Sequence, residues 1–550
     1  MSPGLRSLLS FALVAIAAVL AVAPARDGRF IYDDQYYLVE NPAVRGEAPV
    51  LSTPLGSPQQ ALWRPLTVAS FALQWQGPER AWPLRVGNIV LHVAVSVLLL
   101  LLARRLLPSA GAALLAALLF AVHPVHAEAV AWVSGRAELL AALFVLAAWL
   151  AWLVPGRVAA AACAALFAAA LLSKENALVA PLLFVAGDAL LLRRPLRRGR
   201  LLLLAGVVAA AWTARLAVLP TALPGGAPFG DVPVPERLLV AANILGEALR
   251  RCVLPGEPRI FHPRDEFLGL QAAPLLVLAA AATVVILAWR RQRAIGAGLL
   301  LAALALLTVL NLVPIGATFA ARFLYLPSAG VCLAGGALLA ALGRREVARG
   351  AGLGASVLVT GAVLALVLPA SRDATRVLST DLSLWAHEAA VAPHVAHARY
   401  NHGYFLQEAG RHLALDRDLP GAADELQASL RLDPGHLDAG FAHQMLGNIA
   451  LGLAGRAVPD VPLAARHFRE ALERLPSLVD ARINLASIAA SAPQVVTPEE
   501  GLAALATLHA GELSPERAQA VDELRAQLSA AARGGASPDS STGTSSPAGS

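Results

Sequence analysis

Lysine is almost missing from this chain: of 44 basic residues among 550, Lys174 is the only one that is not arginine. Cysteine is nearly as scarce. Cys163 and Cys332 lie inside apolar runs and Cys252 stands alone in a loop, which excludes a disulfide framework. Charge of either sign is thin, at 15% of residues against about 25% in ordinary soluble chains. That shortage excludes a soluble enzyme and a charge-rich disordered scaffold alike. What fills the chain instead is apolar: 57% of residues are hydrophobic and the mean hydropathy is +0.61. Long apolar runs separated by short arginine clusters make this a polytopic, all-α membrane protein. The net charge of +6 does not point to nucleic acid, because the arginines sit at the ends of apolar runs, where they orient helices.

A span needs about 20 mainly apolar residues. About eleven transmembrane helices are expected, over 8–23, 86–103, 107–122, 138–154, 157–172, 176–192, 201–219, 272–289, 295–312, 325–342 and 351–370. The first has a basic start like a signal peptide, but Pro24 spoils Ala23-Pro24-Ala25 as a cleavage site, and a retained helix is expected. Alanine richness suggests spans packed closely on one another. With the N-terminus inside, fifteen arginines fall at cytoplasmic ends, among them Arg6, Arg104, Arg105, Arg197 and Arg200, against eight basic residues in outward connections. That asymmetry sets the orientation. Loops 24–85 and 220–271 and everything after 370 are then extracytoplasmic.

Residues 371–533 are richer in charge and carry two weak repeats. One runs from Asn401-His402-Gly403 to Asp433-Pro434, the other from Leu446-Gly447-Asn448 to Leu475-Pro476, and a third begins at Ala481. Small residues at helix crossings, with proline ending each unit, suit a tetratricopeptide-repeat α-solenoid. The prolines stand 42 residues apart, about eight more than the 34-residue ideal, so insertions are expected at Asp416 to Pro420 and Val458 to Pro462. The expected division is a transmembrane domain over 1–370, a repeat domain over 371–533 and a disordered Gly/Ser/Pro/Thr-rich tail over 534–550.

Polar residues collect in the outward connections. Asp33-Asp34 in the first loop suits a general base or a bound cation, or is simply a solvated turn. Asn88 and His92 share a face of the second span, where polar groups line a cavity or bond another helix. His123-Pro124-Val125-His126-Ala127-Glu128 holds two histidines and a carboxylate, yet Pro124 breaks the spacing of a zinc helix, and no metal ligands are assigned. A hydrogen-bonding or acid/base cluster fits those residues better. Lys174-Glu175 turns between two spans, where the pair either snorkels or serves a lipid-linked phosphate. Arg322, three residues before Tyr325, is a second phosphate candidate or an interfacial anchor.

In order, Asp33-Asp34, Trp63-Arg64-Pro65-Leu66, Asn88 with His92, His123 through Glu128, Gly135-Arg136, Lys174-Glu175 and Arg322 through Ser328, followed by repeats, resemble the TMTC family. Its members join a multispan glycosyltransferase of the GT-C type to tetratricopeptide repeats, and the resemblance runs over about residues 27–490. It implies an O-mannosyltransferase-like enzyme that passes a sugar, mannose the expected one, from a polyprenyl phosphate to Ser or Thr of a polypeptide held by the repeats. By similarity Asp33 or Asp34 would be the catalytic base, with His126 and Glu128 in the catalytic group. Arg64, Asn88, His92, His123, Arg136, Lys174, Glu175, Arg322 and Tyr325 would bind substrate. No cofactor is expected beyond a possible divalent cation. Ala321 stands where the family often has Glu before the arginine, which questions an ion pair there. The partners expected are the lipid-linked donor, the polypeptide acceptor and membrane lipid.

A non-catalytic scaffold for envelope assembly would use the repeats but not the gathered polar motifs. A transporter would place ionisable groups near the bilayer midplane and repeat its halves. Two expectations follow. Reporter fusions after Arg198 and after Arg411 should give opposite signals, and equal signals would overturn the span count and the placing of the loops. Lys174→Arg should insert normally yet lose most activity, because a guanidinium is larger and planar where an ammonium is compact. Wild-type turnover in that variant would make any cation sufficient.

Overall fold

The protein is described here from a computed structural model that covers residues 2–55, 62–219, 227–254, 256–348, 354–412, 418–436, 438–452, 459–508 and 513–534. Among these residues there is no strand beyond one isolated bridge between Leu55 and Leu62. The helices in chain order are α1 Pro3–Val22, α2 Pro65–Ala72, α3 Trp82–Leu106, α4 Ala110–Ala121, α5 Ala127–Ala131, α6 Arg136–Leu153, α7 Arg157–Ser173, α8 Ala180–Gly187, α9 Arg198–Val218, α10 Val234–Val253 and α11 Ala272–Arg291. There follow α12 Arg293–Leu306, α13 Tyr325–Ala348, α14 Gly354–Val377, α15 Asp381–Val391, α16 Ala396–His412, α17 Leu419–Leu432, α18 Ala439–Ala450, α19 Val461–Arg474, α20 Val479–Ser491, α21 Pro498–Leu505 and α22 Pro515–Gly534.

The chain is an all-α polytopic membrane protein. Each expected apolar segment falls on helix, the last from Gly354 onward because 351–353 lie outside the described residues. The count of spans is corrected: among the described residues seven helices, not eleven, are long and apolar enough to cross a membrane. An eighth arises if α4 and the bent stretch Pro124–Ala131, 49° off its axis, form one span. Arg157–Ser173 and Arg293–Val309 are apolar but shorter. The bend follows from Pro124, which has no backbone N–H to continue the α4 ladder.

The chain divides into two compact units, Met1–Leu384 and Trp385–Ser550. The first thus extends past the boundary expected at 370. The reason is local: α14 continues to Val377, and the residues after it bond back to the loop that follows α1.

The centre of the first unit is built on small residues. A side chain at Gly336 of α13 would stand 2.5 Å from the Ala112 carbonyl oxygen of α4, and one at Gly298 of α12 would stand 2.6 Å from that of Gly330. Such backbone-to-backbone approach is how membrane helices associate without a hydrophobic driving force between them. Alanine alone does not mark burial, contrary to expectation. The apolar stretch of α11 is alanine-rich and none of it is buried within the chain, as suits a helix facing lipid.

At one end of the bundle arginines cap helices. Arg197 and Arg200 donate to the carbonyl of Trp152, and Arg200 also to Val154 at 2.7 Å, at the C-terminus of α6, where unpaired carbonyls attract cations. Arg104, at the end of α3, donates to Ser7 at 2.7 Å. These are the ends that the arginine count assigns to the cytoplasm.

In the second unit α16 packs on α17, α18 on α19 and α20 on α21, with α22 against the last pair. Each pair crosses at a small residue: Gly403 faces Leu426, Gly447 the ring of Phe468, and Gly501 Ala489. The insertion expected at Asp416 lies partly outside the described residues, as does that at Val458, and all of the expected tail after Gly534 does.

A substitution tests the close packing. Gly336→Val should destabilise the first unit by about 1–3 kcal/mol through overpacking, read as a fall in the detergent-solubilised unfolding midpoint. Gly111→Val, which meets open space, should leave it unchanged.

Candidate functional site

The opposite helix ends carry the motifs, and hydrogen bonds tie them together. Asp34 is fully buried, and its carboxylate accepts from the backbone N–H of Ile31 at 3.1 Å and of Ser134 at 2.9 Å. It therefore pins the first loop to the turn before α6. Asp33 differs in every respect. It is half-buried, and among the described residues its carboxylate has no hydrogen-bond partner. Burial, opposed by the nearby Arg322 guanidinium and aided by Asp34, pushes its carboxyl up to about 6. Tyr32, just before it, has a left-handed backbone with φ of +49°, which costs a non-glycine residue roughly 1–2 kcal/mol.

Three cations surround this loop, each held by one glutamate. Arg64 grips Glu175 in bidentate fashion, its Nε–H donating to Oε2 at 2.9 Å and its Nη2 to Oε1. Lys174 donates to Glu138, which also accepts from Asn176 at 3.0 Å, and the ammonium lies 5.0 Å from the centre of the Phe323 ring. Arg322 donates to Glu128 through its guanidinium and, at 3.0 Å, through its backbone N–H. Its guanidinium covers the Trp132 ring at 4.7 Å. One-to-one pairing is what a poorly solvated cluster demands, since an unpaired charge is expensive there. The ion pair that Ala321 put in doubt therefore exists, with Glu128 supplying the carboxylate from the bend between α4 and α6.

The expected residues fall into two groups. Asp33, Arg64, Glu175 and Arg322 border the open side, with side chains of Arg64, Glu175 and Arg322 that are 11%, 50% and 22% exposed. Lys174, Glu128, Asn88, His92, His123, His126, Arg136 and Tyr325 are buried. The amide of Asn88 donates to the carbonyls of Val130 and Trp132, both at 3.2 Å, and its oxygen accepts from Arg136 at 2.8 Å. Arg136 also donates to the carbonyls of Ser70 and Leu84. These two side chains bond the loop backbone and each other, where contact with substrate was expected of them. Tyr325 lies 2.8 Å from His92 Nδ1, whose Nε2 stands 3.1 Å from the Ala121 carbonyl. His126 Nε2 is 2.8 Å from the Ser328 hydroxyl, and His123 Nε2 is 2.8 Å from the Cys252 carbonyl. His126 and Glu128, both expected to take part in catalysis, are buried, His126 in this aromatic layer and Glu128 against Arg322. Lys174 is likewise enclosed by Glu138 and Phe323, where an open phosphate partner was expected. Among the described residues no three His, Cys, Asp or Glu side chains form a metal-holding group.

Sequence reasoning missed four residues. Arg85 is fully buried and donates to the carbonyls of Ala25, Arg29 and Leu378, joining the chain after α1, the start of α3 and the chain after α14. A charge at the head of an apolar helix was its signal. Tyr37, one turn after Asp33, lies within electrostatic reach of Asp33, Arg64, Arg322 and Glu175. Its spacing from Asp33 could have found it. Glu138 needed its partner Lys174 to be known, and Asp381 gives no local signal.

No protein-family model matches the chain. The protein O-mannosyl-transferase Tmtc2 of Drosophila melanogaster is 37% identical over 180 residues, covering 29% of this chain and 19% of that protein. The human protein O-mannosyl-transferase TMTC4 is 36% identical over 169 residues, covering 26% and 22%. The chain spans about a fifth of the length of these curated relatives. Among solved structures, ArnT from Cupriavidus metallidurans bound to undecaprenyl phosphate superposes with a TM-score of 0.38 at 15% identity, over 91% of this chain and 82% of that one. The resemblance to the TMTC family drawn from the motifs is borne out by the curated relatives over the matched stretch.

If the open carboxylate acts as a base, ionisation governs its work. Its value near 6 means that the base is lost as pH falls through that value, so kcat/KM for transfer should fall about tenfold per unit below it and level off above. A flat profile between pH 5 and 8 would exclude Asp33 as the titrating group.

Proposed function

We propose that this chain is a multispan GT-C-type glycosyltransferase that moves a sugar, mannose by similarity, from polyprenyl phosphate to a Ser or Thr hydroxyl of a polypeptide. The observation that carries the reading is Asp33, a carboxylate without a hydrogen bond among the described residues, set half-open beside a ring of paired cations. The relatives named as O-mannosyl-transferases support the same reading. Asp33 takes the proton of the acceptor hydroxyl as its oxygen attacks the anomeric carbon. The bond from that carbon to the phosphate oxygen breaks, and polyprenyl phosphate leaves with the electron pair. Arg322 and Arg64 meet its charge through their exposed edges, while Lys174 contributes only field from within.

The helical pairs of the second unit fit tetratricopeptide repeats that hold the acceptor, a small residue standing at the crossing of each of two pairs, Gly403 in one and Gly447 in the next. The arginine-capped ends suit a cytoplasmic face and the motif-bearing ends a periplasmic one, in a bacterial inner membrane. Asp33→Asn should cut transfer by about 100-fold or more while donor binding survives, because size is kept and the proton acceptor is lost. Asp34→Asn should instead retain the pH profile and lower the yield of folded protein. Full transfer by Asp33→Asn would overturn the assignment.

A further inference from the structure

Asp33 stands on a stretch of backbone held from far along the chain. The N–H of Tyr32 donates to Asp381 Oδ1 at 2.9 Å across 349 residues of sequence. One bond beside it runs the same way: the N–H of Arg29 donates to the Ser379 carbonyl at 2.8 Å. Arg85 of α3 bridges the two segments, donating to the Leu378 carbonyl at 3.2 Å and to the Arg29 carbonyl as well. Residues 378–381, between α14 and the first turn of α15, thus strap residues 29–32. The strapped stretch contains Tyr32, whose left-handed backbone is one that side-chain-bearing residues leave readily. On the next residue is the open carboxylate.

We infer that Asp381 is a positioning residue for Asp33: its carboxylate oxygen holds the Tyr32 N–H, fixing the left-handed turn that aims the following side chain toward the open side of the site. The inference rests on Asp33 being the base. It asks of Asp381 an accepting oxygen rather than a charge. Burial pushes the Asp381 carboxyl up to about 7, opposed by the Tyr32 N–H bond and the Arg85 guanidinium and aided by the Asp34 carboxylate, and both its ionised and neutral forms keep an oxygen that accepts. Tyr32 itself leans on Trp132, with ring centroids 5.5 Å apart, and local turn bonds run forward from this stretch, the Ile31 carbonyl accepting from Asp34 at 3.0 Å and the Tyr32 carbonyl from Gln35 at 3.4 Å; the strap is what ties the turn to the far segment.

The test uses the full chain in detergent with radiolabelled mannosyl polyprenyl phosphate and a Ser/Thr peptide. Asp381→Ala should lower kcat by about 10-fold or more, since a small misplacement of a reacting group is that damaging, with donor KM unchanged. Asp381→Asn should stay within about 3-fold of wild type, because its amide oxygen still accepts. Adding Tyr32→Gly to Asp381→Ala should restore about 3-fold or more, because glycine adopts positive φ without a strap. Wild-type kcat in Asp381→Ala, a rise in KM that accounts for the loss, or no recovery in the double variant would each overturn the inference. Should Asp381→Ala fail to fold, a 10-fold loss in Asp381→Asn would overturn it and near-normal turnover there would uphold it. Asp33→Asn separates the two claims. If it still transfers, the base assignment falls. If it is inactive while Asp381→Ala is wild-type, only the strap falls.

Discussion

A charge at the end of an apolar bundle persists only when something neutralises it, and that constraint organises the first unit. Glu175, Glu138 and Glu128 each take one cation, and Asp34 takes two backbone N–H groups. Among the described residues Arg85 has no carboxylate in hydrogen-bond contact, and a nest of backbone carbonyls serves it instead. Those carbonyls belong to segments on either side of the membrane domain in sequence, so one buried guanidinium closes the bundle. Beside these paired groups Asp33 is half-buried, with no hydrogen-bond partner for its carboxylate among the described residues. Its chemistry is a consequence of the pairing around it.

The two ends of the bundle pair their charges differently. At the arginine-capped end, arginines bond helix-terminal carbonyls, and Asp188 accepts from Trp152 at 2.9 Å and faces Arg197 at 3.4 Å. Two ends of the same helices are thus specialised by composition. One is a set of caps, the other a set of ion pairs around a loop.

Much of the fold was legible in the sequence because hydropathy acts locally. Among the described residues each expected apolar run falls largely on helix, and Gly403 and Gly447 marked helix crossings in the second unit. Length was the weaker guide: α7 and α12 are apolar yet short, and Pro124 bends one segment out of line. Within the site, residue types and their order were legible, but roles were not. Asn88 could line a cavity or bond a neighbour until Arg136 was seen on its oxygen. Glu128 could be an acid or an ion-pair partner until Arg322, 194 residues on, was seen to hold it. Asp33 and Asp34 are adjacent and chemically identical, and only the N–H groups of Ile31 and Ser134 tell them apart. Roles of this kind are set by partners that no local pattern contains.

The central claim is that this membrane domain transfers a lipid-linked sugar to protein. Purified full-length chain incubated with radiolabelled polyprenyl-phosphate sugars and periplasmic extract tests it most directly. The account predicts alkali-sensitive label on Ser or Thr of extract proteins, strongest with mannose and absent without the chain. Label that stays on the lipid with every sugar offered, from protein that is folded and inserted, would contradict it.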